Sequence, residues 1–214
     1  MSLQYPEFKG KRALITGGTQ GIGKAIAERL ARQGATVYLN YVRNVQAARE
    51  ALDQFRAAGY ACELLQADLG WAEAVDAMLE QIHESGPLDL LVCNAAYQEK
   101  KGFFETDRAL IQRTLDINIL ANFQIINSVA DTMIAAGRPG RMVVCSSGHG
   151  TMVFKNAFAY DVSKAALNHL MRGAALALIE HGIRLAQATN PKAFVSARKL
   201  FNTRSAAVKE PDLK

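Results

Sequence analysis

Arg12-Ala13-Leu14-Ile15-Thr16-Gly17-Gly18-Thr19-Gln20-Gly21-Ile22-Gly23 is the stretch on which the fold turns. A short apolar run enters a glycine-rich turn, and beyond it Ile22, Ile26, Ala27 and Leu30 recur at helical spacing until Gly34 stops them. The reading is a strand, a turn and a helix. Glycines at 17, 21 and 23 permit a sharp turn, let backbone N–H groups approach a pyrophosphate, and allow the helix to pack closely on its sheet. The helix N-terminus then faces the anion with free N–H groups and the positive end of its dipole. The spacing is TGxxxGxG rather than GxGxxG. By itself such a turn suits a tight structural bend as well as a nucleotide, and its place after the first strand favours the nucleotide. Gly17, Thr19, Gln20, Gly21, Ile22 and Gly23 are therefore candidate cofactor-binding residues.

Working outward, the alternation repeats. A second strand is expected at Thr36–Tyr41, followed by a helix ending at Gly59. A third strand over Ala61–Gln66 precedes a helix from Trp71 to about Glu84, and a fourth strand covers Leu88–Cys93. A long helical stretch spans roughly Asp107 to Ala136, Arg141–Cys145 is a fifth strand, Phe158–His181 is a helix, and Ile183–Ala188 is a sixth strand. Val-, Ile- and Leu-rich strands separated by helices are not hairpins, because parallel neighbours need long crossovers. The expected fold is α/β: a three-layer, Rossmann-like, doubly wound parallel sheet of six strands, with its ligand crevice at the strands' carboxyl ends.

At 214 residues, 50% hydrophobic and 21% charged, with no linker or low-complexity segment, residues 1–214 read as a single dinucleotide-binding domain. The net charge of +5 comes from basic residues scattered along the chain, whereas a nucleic-acid partner calls for a patch or stripe. No apolar run reaches membrane-spanning length and no leader pattern opens the chain, so the expectation is a cytoplasmic protein with neither a nucleic-acid nor a membrane partner. Cys62, Cys93 and Cys145 are odd in number and widely spaced, and read as small core residues in a reducing compartment. His83, His169 and His181 show no ligand spacing, and no metal site is expected. His149 reads as a solvated loop residue, with a substrate contact beside Ser147 as the lesser alternative.

The second strand ends Tyr38-Leu39-Asn40-Tyr41-Val42-Arg43, with no Asp or Glu to hold a ribose 2′-hydroxyl. NADP(H) is therefore preferred, with NAD(H) possible, and Arg43 is the first candidate for the 2′-phosphate, ahead of Lys24 and Arg12. A solvated loop position is the equal alternative for Arg43. Asp68, followed by Leu69, is placed to accept from an adenine amino group or to cap a helix.

Tyr160 and Lys164 lie four residues apart in Phe158-Ala159-Tyr160-Asp161-Val162-Ser163-Lys164, so a helix stacks the ammonium beneath the phenol. A fixed cation favours the phenolate of a group whose ordinary pKa is about 10, which makes a proton-handling pair. With these residues assembled, the chain resembles the short-chain dehydrogenase/reductase family from about Gly10 to Ala188. The resemblance rests on Thr16 to Gly23, Asp68, Asn94-Ala95-Ala96, Asn118, Ser146-Ser147, and Tyr160 with Lys164.

It implies an oxidoreductase moving a hydride between NADP(H) or NAD(H) and a carbonyl or secondary alcohol. Tyr160 is then the acid/base, Lys164 lowers its pKa and holds the nicotinamide ribose, and Ser147, thirteen positions before Tyr160, polarises the carbonyl. Asn118 supports a water-linked proton path to Lys164, while Asn94, Ala95 and Pro191 contact the cofactor. A local likeness around Arg198–Phe201 to sugar dehydrogenases of the family points toward a polyol or sugar. A homo-oligomer is implied as well.

The chain departs from the family pattern at Cys93 and Ala96, and at Asn190-Pro191-Lys192, where Lys192 stands in place of a glycine. Residues 191–214 resemble only a divergent or truncated substrate lid, and the usual seventh strand is missing. On those departures the competing expectations are a catalytically silent nucleotide-binding or scaffold protein, and a truncated chain that folds poorly with its sixth strand left as an open edge.

Overall fold

Strand and helix alternate through residues 8–189, the part of the chain that the computed structural model describes. Six strands, β1 (Arg12–Ile15), β2 (Thr36–Tyr41), β3 (Cys62–Gln66), β4 (Leu90–Cys93), β5 (Arg141–Cys145) and β6 (Arg184–Ala188), form one sheet in the order β3-β2-β1-β4-β5-β6. Every pairing is parallel. The helices are α1 (Gly21–Arg32), α2 (Val45–Ala57), α3 (Ala72–His83), α4 (Arg108–Leu115), α5 (Ala121–Ala135) and α6 (Phe158–Leu178). This is the doubly wound topology, in which the strand order reverses between β1 and β4 and opens a crevice at the carboxyl ends.

Side chains of the central strands β1, β2, β4 and β5 are mostly buried on both sides, as parallel sheets with helices on both faces require. Ala13 and Ile15 with Val37 and Leu39 pack against Ala27 and Leu30 of α1 and Phe55 of α2. Leu14 and Tyr38 face the other way, into a larger cluster with Val75 and Met78 of α3, Ile125 and Met133 of α5, and Leu167 and Met171 of α6. Full burial of each Val, Leu, Ile, Phe or Met among them stabilises the fold by about 1.5–3 kcal/mol. The cysteines sit as expected of core residues: Cys62 and Cys93 are buried, and burial pushes the Cys62 thiol up to about 11.

The bounds of β2 and β5 coincide with the expected ones, and the others differ by a residue or two. The stretch expected as one helix from Asp107 to Ala136 is instead α4 and α5 joined by a π-helical turn, Asp116–Leu120. Among the described residues β6 is an edge of the sheet, and no helix is long and apolar enough to cross a membrane. Pro191, Lys192 and the lid expected over 191–214 lie outside the described residues.

Candidate active site

The turn after β1 has the backbone that its glycines permit. Gly17 and Gly21 take positive φ values of 60° and 53°, which favour glycine over residues with a side chain. A Cβ on Gly23 would lie 2.3 Å from the Gly17 carbonyl oxygen and 2.6 Å from Asn94 Nδ2, and one on Gly18 would lie 2.9 Å from the Ile15 oxygen. Gln20 precedes α1 without capping it through its side chain, and the first turn of α1 carries no acidic residue. The N-terminal N–H groups of α1 therefore remain available to an anion.

Buried polar side chains hold this turn against its neighbours. Thr16 Oγ1 accepts from the Asn94 and Ala95 N–H groups at 2.9 and 3.0 Å. Asn94 Nδ2 donates back to the Thr16 and Gly17 carbonyls at 3.1 and 3.2 Å. Asn40, fully buried at the end of β2, accepts from Gly17 N–H through Oδ1 (3.3 Å) and donates through Nδ2 to the Ala67 carbonyl (3.0 Å). The uncharged residue at this position thus ties three strand ends together. Thr16 opens the TGxxxGxG run, but neither its role nor that of Asn40 is marked in the sequence, because both side chains serve backbone groups of distant segments.

A cavity of about 690 Å³ opens at the carboxyl ends of β1 to β4. Gly17, Thr19, Gln20, Gly21, Ile22, Arg43, Asp68, Leu69, Asn94 and Ala95 line it. The expected cofactor residues from 17 to 95 therefore share one cavity, except Gly23, which is buried and does not line it. The glycine cradle and the open helix end fit a dinucleotide pyrophosphate.

Of the three cations weighed for a phosphate, only Arg43 lines this cavity. Arg12 is committed to Tyr38 Oη and to the Ile82 and Pro87 carbonyls, and Lys24 reaches Gln54 on α2. Asp68 does not cap α3, whose N-cap is Trp71. Its oxygens accept from Arg113 at 2.8 and 2.7 Å and from Gly70 N–H at 3.0 Å. Burial works against the Asp68 carboxylate, but the Gly70 hydrogen bond, Arg113 and the charge of Arg43 outweigh it and hold the pKa below the ordinary value. Arg113 also lines the cavity, and nothing in its helical surroundings marked it in the sequence.

The second half of the site adjoins the end of β5. Ser147 follows that strand, and its side chain acts on the phenol of Tyr160, in the first turn of α6, drawing the phenol's pKa down. Lys164 Nζ lies over the Tyr160 ring, 5.4 Å from its centroid, and donates to the Cys145 carbonyl at 3.0 Å. The expected stacking of ammonium beneath phenol is present. The expected fall in the phenol's pKa is not: burial raises it, Cys145 and Asp161 add to the rise, and only Ser147 opposes them. The cost of burial falls on Lys164 as well. With 2% exposure its pKa is pushed down to about 8, partly offset by the Cys145 and Cys93 thiols.

Asn118 lies in the π-helical turn and is fully buried. Its Oδ1 accepts from Tyr97 N–H at 2.8 Å, and Nδ2 donates to the Tyr97 carbonyl and to Ser163 Oγ, both at 2.9 Å. Ser163 Oγ in turn donates to the Tyr160 carbonyl at 2.8 Å. Asn118 therefore clamps the loop after β4 to the turn of α6 that carries Tyr160. A π turn offsets the helix register by one residue, as is frequent at functional sites.

His149 requires a correction. It is not a solvated loop residue: its Nδ1 pairs with Asp161, a buried carboxylate adjacent to Tyr160 on α6. A buried carboxylate needs partners, and Asp161 takes His149 on one oxygen and Phe154 N–H (2.8 Å) on the other.

A parallel α/β sheet with a glycine cradle, and a Ser-Tyr-Lys cluster beside it, defines a dinucleotide-dependent oxidoreductase architecture. The short chain dehydrogenase family matches residues 11–198, and the chain belongs to that family of NAD(P)-dependent dehydrogenases and reductases. A short-chain dehydrogenase/reductase of Armillaria gallica is 34% identical over 177 residues, covering 82% of this chain and 68% of the relative. L-Rhamnose 1-dehydrogenase (NADP(+)) of Thermoplasma acidophilum is 31% identical over 178 residues, covering 83% of this chain and 70% of the relative. A metagenomic short-chain oxidoreductase solved in complex with NADP superposes with a TM-score of 0.84 at 30% identity, over 92% of each chain.

Proposed function

We propose that this chain moves a hydride between NADP(H) and a carbonyl or secondary alcohol, with Tyr160 as the acid/base. The observation that carries this reading is the Lys164 ammonium 5.4 Å from the Tyr160 ring centroid, with Ser147 acting on the phenol, at the same carboxyl end of the sheet as the glycine-cradled cavity. When bound, the nicotinamide supplies or accepts the hydride. In the reductive direction the carbonyl oxygen gains negative charge as its carbon is attacked, and two hydroxyl donors converge on it. Ser147 stabilises that oxygen, and Tyr160 gives up its phenolic proton to complete the alcohol. The ammonium of Lys164 favours the phenolate that this leaves behind, and Lys164 holds the ribose. Asn118 acts as a positioning residue through Tyr97 and Ser163.

The cofactor contacts follow the two halves of the cavity. Gly17, Thr19, Gln20, Gly21, Ile22 and Gly23 take the pyrophosphate, Asp68 and Leu69 the adenine side, and Asn94 and Ala95 the nicotinamide side. Arg43 meets the 2′-phosphate. Titration of the purified protein with NADPH and NADH, followed by nicotinamide fluorescence, tests this arrangement. In Arg43→Ala, NADPH affinity is expected to fall about 10- to 100-fold, the worth of one charged hydrogen bond, with NADH affinity unchanged. Binding of neither nucleotide by the wild type would overturn the reading, as would absence of turnover on a panel of ketones and aldehydes.

A homo-oligomer is also proposed. Leu120 and Phe123, three residues apart across the π turn into α5, are 54% and 56% exposed, an apolar pair that a second copy would cover. Light scattering is expected to give a dimer or larger species that shifts to monomer in Phe123→Lys; a monomeric wild type would count against it.

A further inference from the structure

His149 and Asp161 form a polar pair that the proposed hydride chemistry leaves unused. His149 sits two residues after Ser147 in the short 3-10 turn Gly148–Gly150, and its backbone N–H donates to Ser147 Oγ at 3.3 Å. The turn is held in place by Asn168, one helical turn beyond Lys164. Asn168 Nδ2 donates to the Gly150 carbonyl at 3.1 Å, and its Oδ1 accepts from Gln187 Nε2 at 2.8 Å. The contact is so close that a Cβ on Gly150 would lie 2.3 Å from Asn168 Nδ2. The imidazole stacks on Phe154 with centroids 4.0 Å apart and meets the Tyr160 ring edge-on at 5.0 Å. A ring so packed has one orientation beside the Ser147–Tyr160 pair.

The partner of Nδ1 decides what the rest of the ring offers. An ionised carboxylate only accepts, so Asp161 draws the ring proton to Nδ1, and in neutral imidazole Nε2 then carries a lone pair. Among the described residues no group hydrogen-bonds His149 Nε2, and it is not one of the buried atoms left without a partner, so it is accessible from solvent. A reacting carbonyl oxygen has no use for an acceptor, because Ser147 and Tyr160 already supply its donors. An acceptor next to them matches a substrate O–H close to the reacting carbon.

We propose that His149, oriented by Asp161, is a specificity-determining residue that accepts a hydrogen bond from a hydroxyl next to the reacting carbon. The substrate class is then an α-hydroxy carbonyl in reduction and a vicinal diol in oxidation. The inference rests on the hydride-transfer reading above and narrows its substrate.

Hydroxyacetone and butanone are a matched pair, with a hydroxyl in one where the other has a methyl group. The wild type is expected to favour hydroxyacetone. In His149→Phe, kcat/KM for hydroxyacetone falls about 10- to 100-fold while that for butanone changes by less than about threefold. His149→Gln, which keeps an acceptor, recovers part of the loss. Asp161→Asn, which no longer fixes the ring proton, lowers hydroxyacetone turnover selectively. Independently of turnover, 15N NMR of histidine-labelled protein is expected to show the neutral Nδ1–H tautomer at His149. Equal losses on both ketones, no loss on either, or an Nε2–H tautomer would overturn the inference and leave the hydride-transfer reading standing. Reduction of neither ketone by the wild type, nor of any compound in the carbonyl panel, would overturn that reading and this inference with it.

Discussion

Replacing Tyr160 with Phe is expected to lower kcat and kcat/KM together by about a thousandfold, within the range of 10²–10⁴ typical of a positioned proton donor, while NADPH affinity stays within about twofold. Phe fills the same volume beside His149 and over Lys164, so the fold keeps its packing and loses one hydroxyl. That hydroxyl, on which Ser147 acts, is the more acidic of the two and so the one able to give up a proton. Because Tyr160 is held above its ordinary pKa by burial, it stays protonated through the neutral range. Reduction, which consumes the phenol, therefore shows no loss from Tyr160 titration there. Oxidation, which needs the phenolate, speeds up with rising pH. A Tyr160→Phe protein with wild-type turnover would remove Tyr160 from the chemistry, and a parallel loss of NADPH binding would show that the substitution had disturbed the site rather than its proton.

Legibility differed sharply between the two halves of the site. The glycine turn could be read because local backbone demands leave a mark in sequence: positive φ favours glycine at 17 and 21, a Cβ would collide at 18 and 23, and the flanking periodicities of strand and helix locate the turn. Tyr160 and Lys164 could be read because both lie on one helix with fixed spacing. What escaped depends on contacts between distant segments. Arg113 reaches Asp68 across 45 positions, and Asp161 meets His149 across 12, so neither pair leaves a local pattern. The π turn at Asp116–Leu120 was hidden for a different reason. Its residues satisfy ordinary helical periodicity, and the extra residue is accommodated only because Asn118 gains buried partners in Tyr97 and Ser163. Sign was also harder to read than proximity. Four-residue spacing places an ammonium under a phenol, but it carries no information about burial, which decides the direction of the Tyr160 shift.

Burial of Lys164 leads to the second large effect, in which activity and stability move in opposite directions. Lys164→Met is expected to reduce turnover by about a hundredfold or more, since the phenolate formed at Tyr160 loses its fixed cation. The same substitution is expected to raise the melting temperature. In the folded protein Lys164 has a pKa of about 8 against 10.5 for the free side chain, because its charge is almost wholly removed from water. That difference corresponds to a destabilisation on the order of 3 kcal/mol at pH 7, of which the hydrogen bond to the Cys145 carbonyl offsets about 1 kcal/mol once its loss in the variant is counted. Methionine fills the same slot without a charge, and the net gain of about 2 kcal/mol corresponds to roughly 4–8 °C for a chain of this size. The pH dependence identifies the cause. Between about 8 and 10.5 the unfolded wild type binds the Lys164 proton more tightly than the folded form does, so wild-type stability gains from this residue as pH rises through that window. Below about 8 both forms are charged and the full cost is present. Denaturation of the two proteins across pH 7 to 10.5 should therefore show the advantage of Lys164→Met shrinking with increasing pH. An advantage independent of pH would trace the gain to packing rather than to the buried charge, and a less stable variant would mean that the ammonium is structural in the fold and not held there for chemistry.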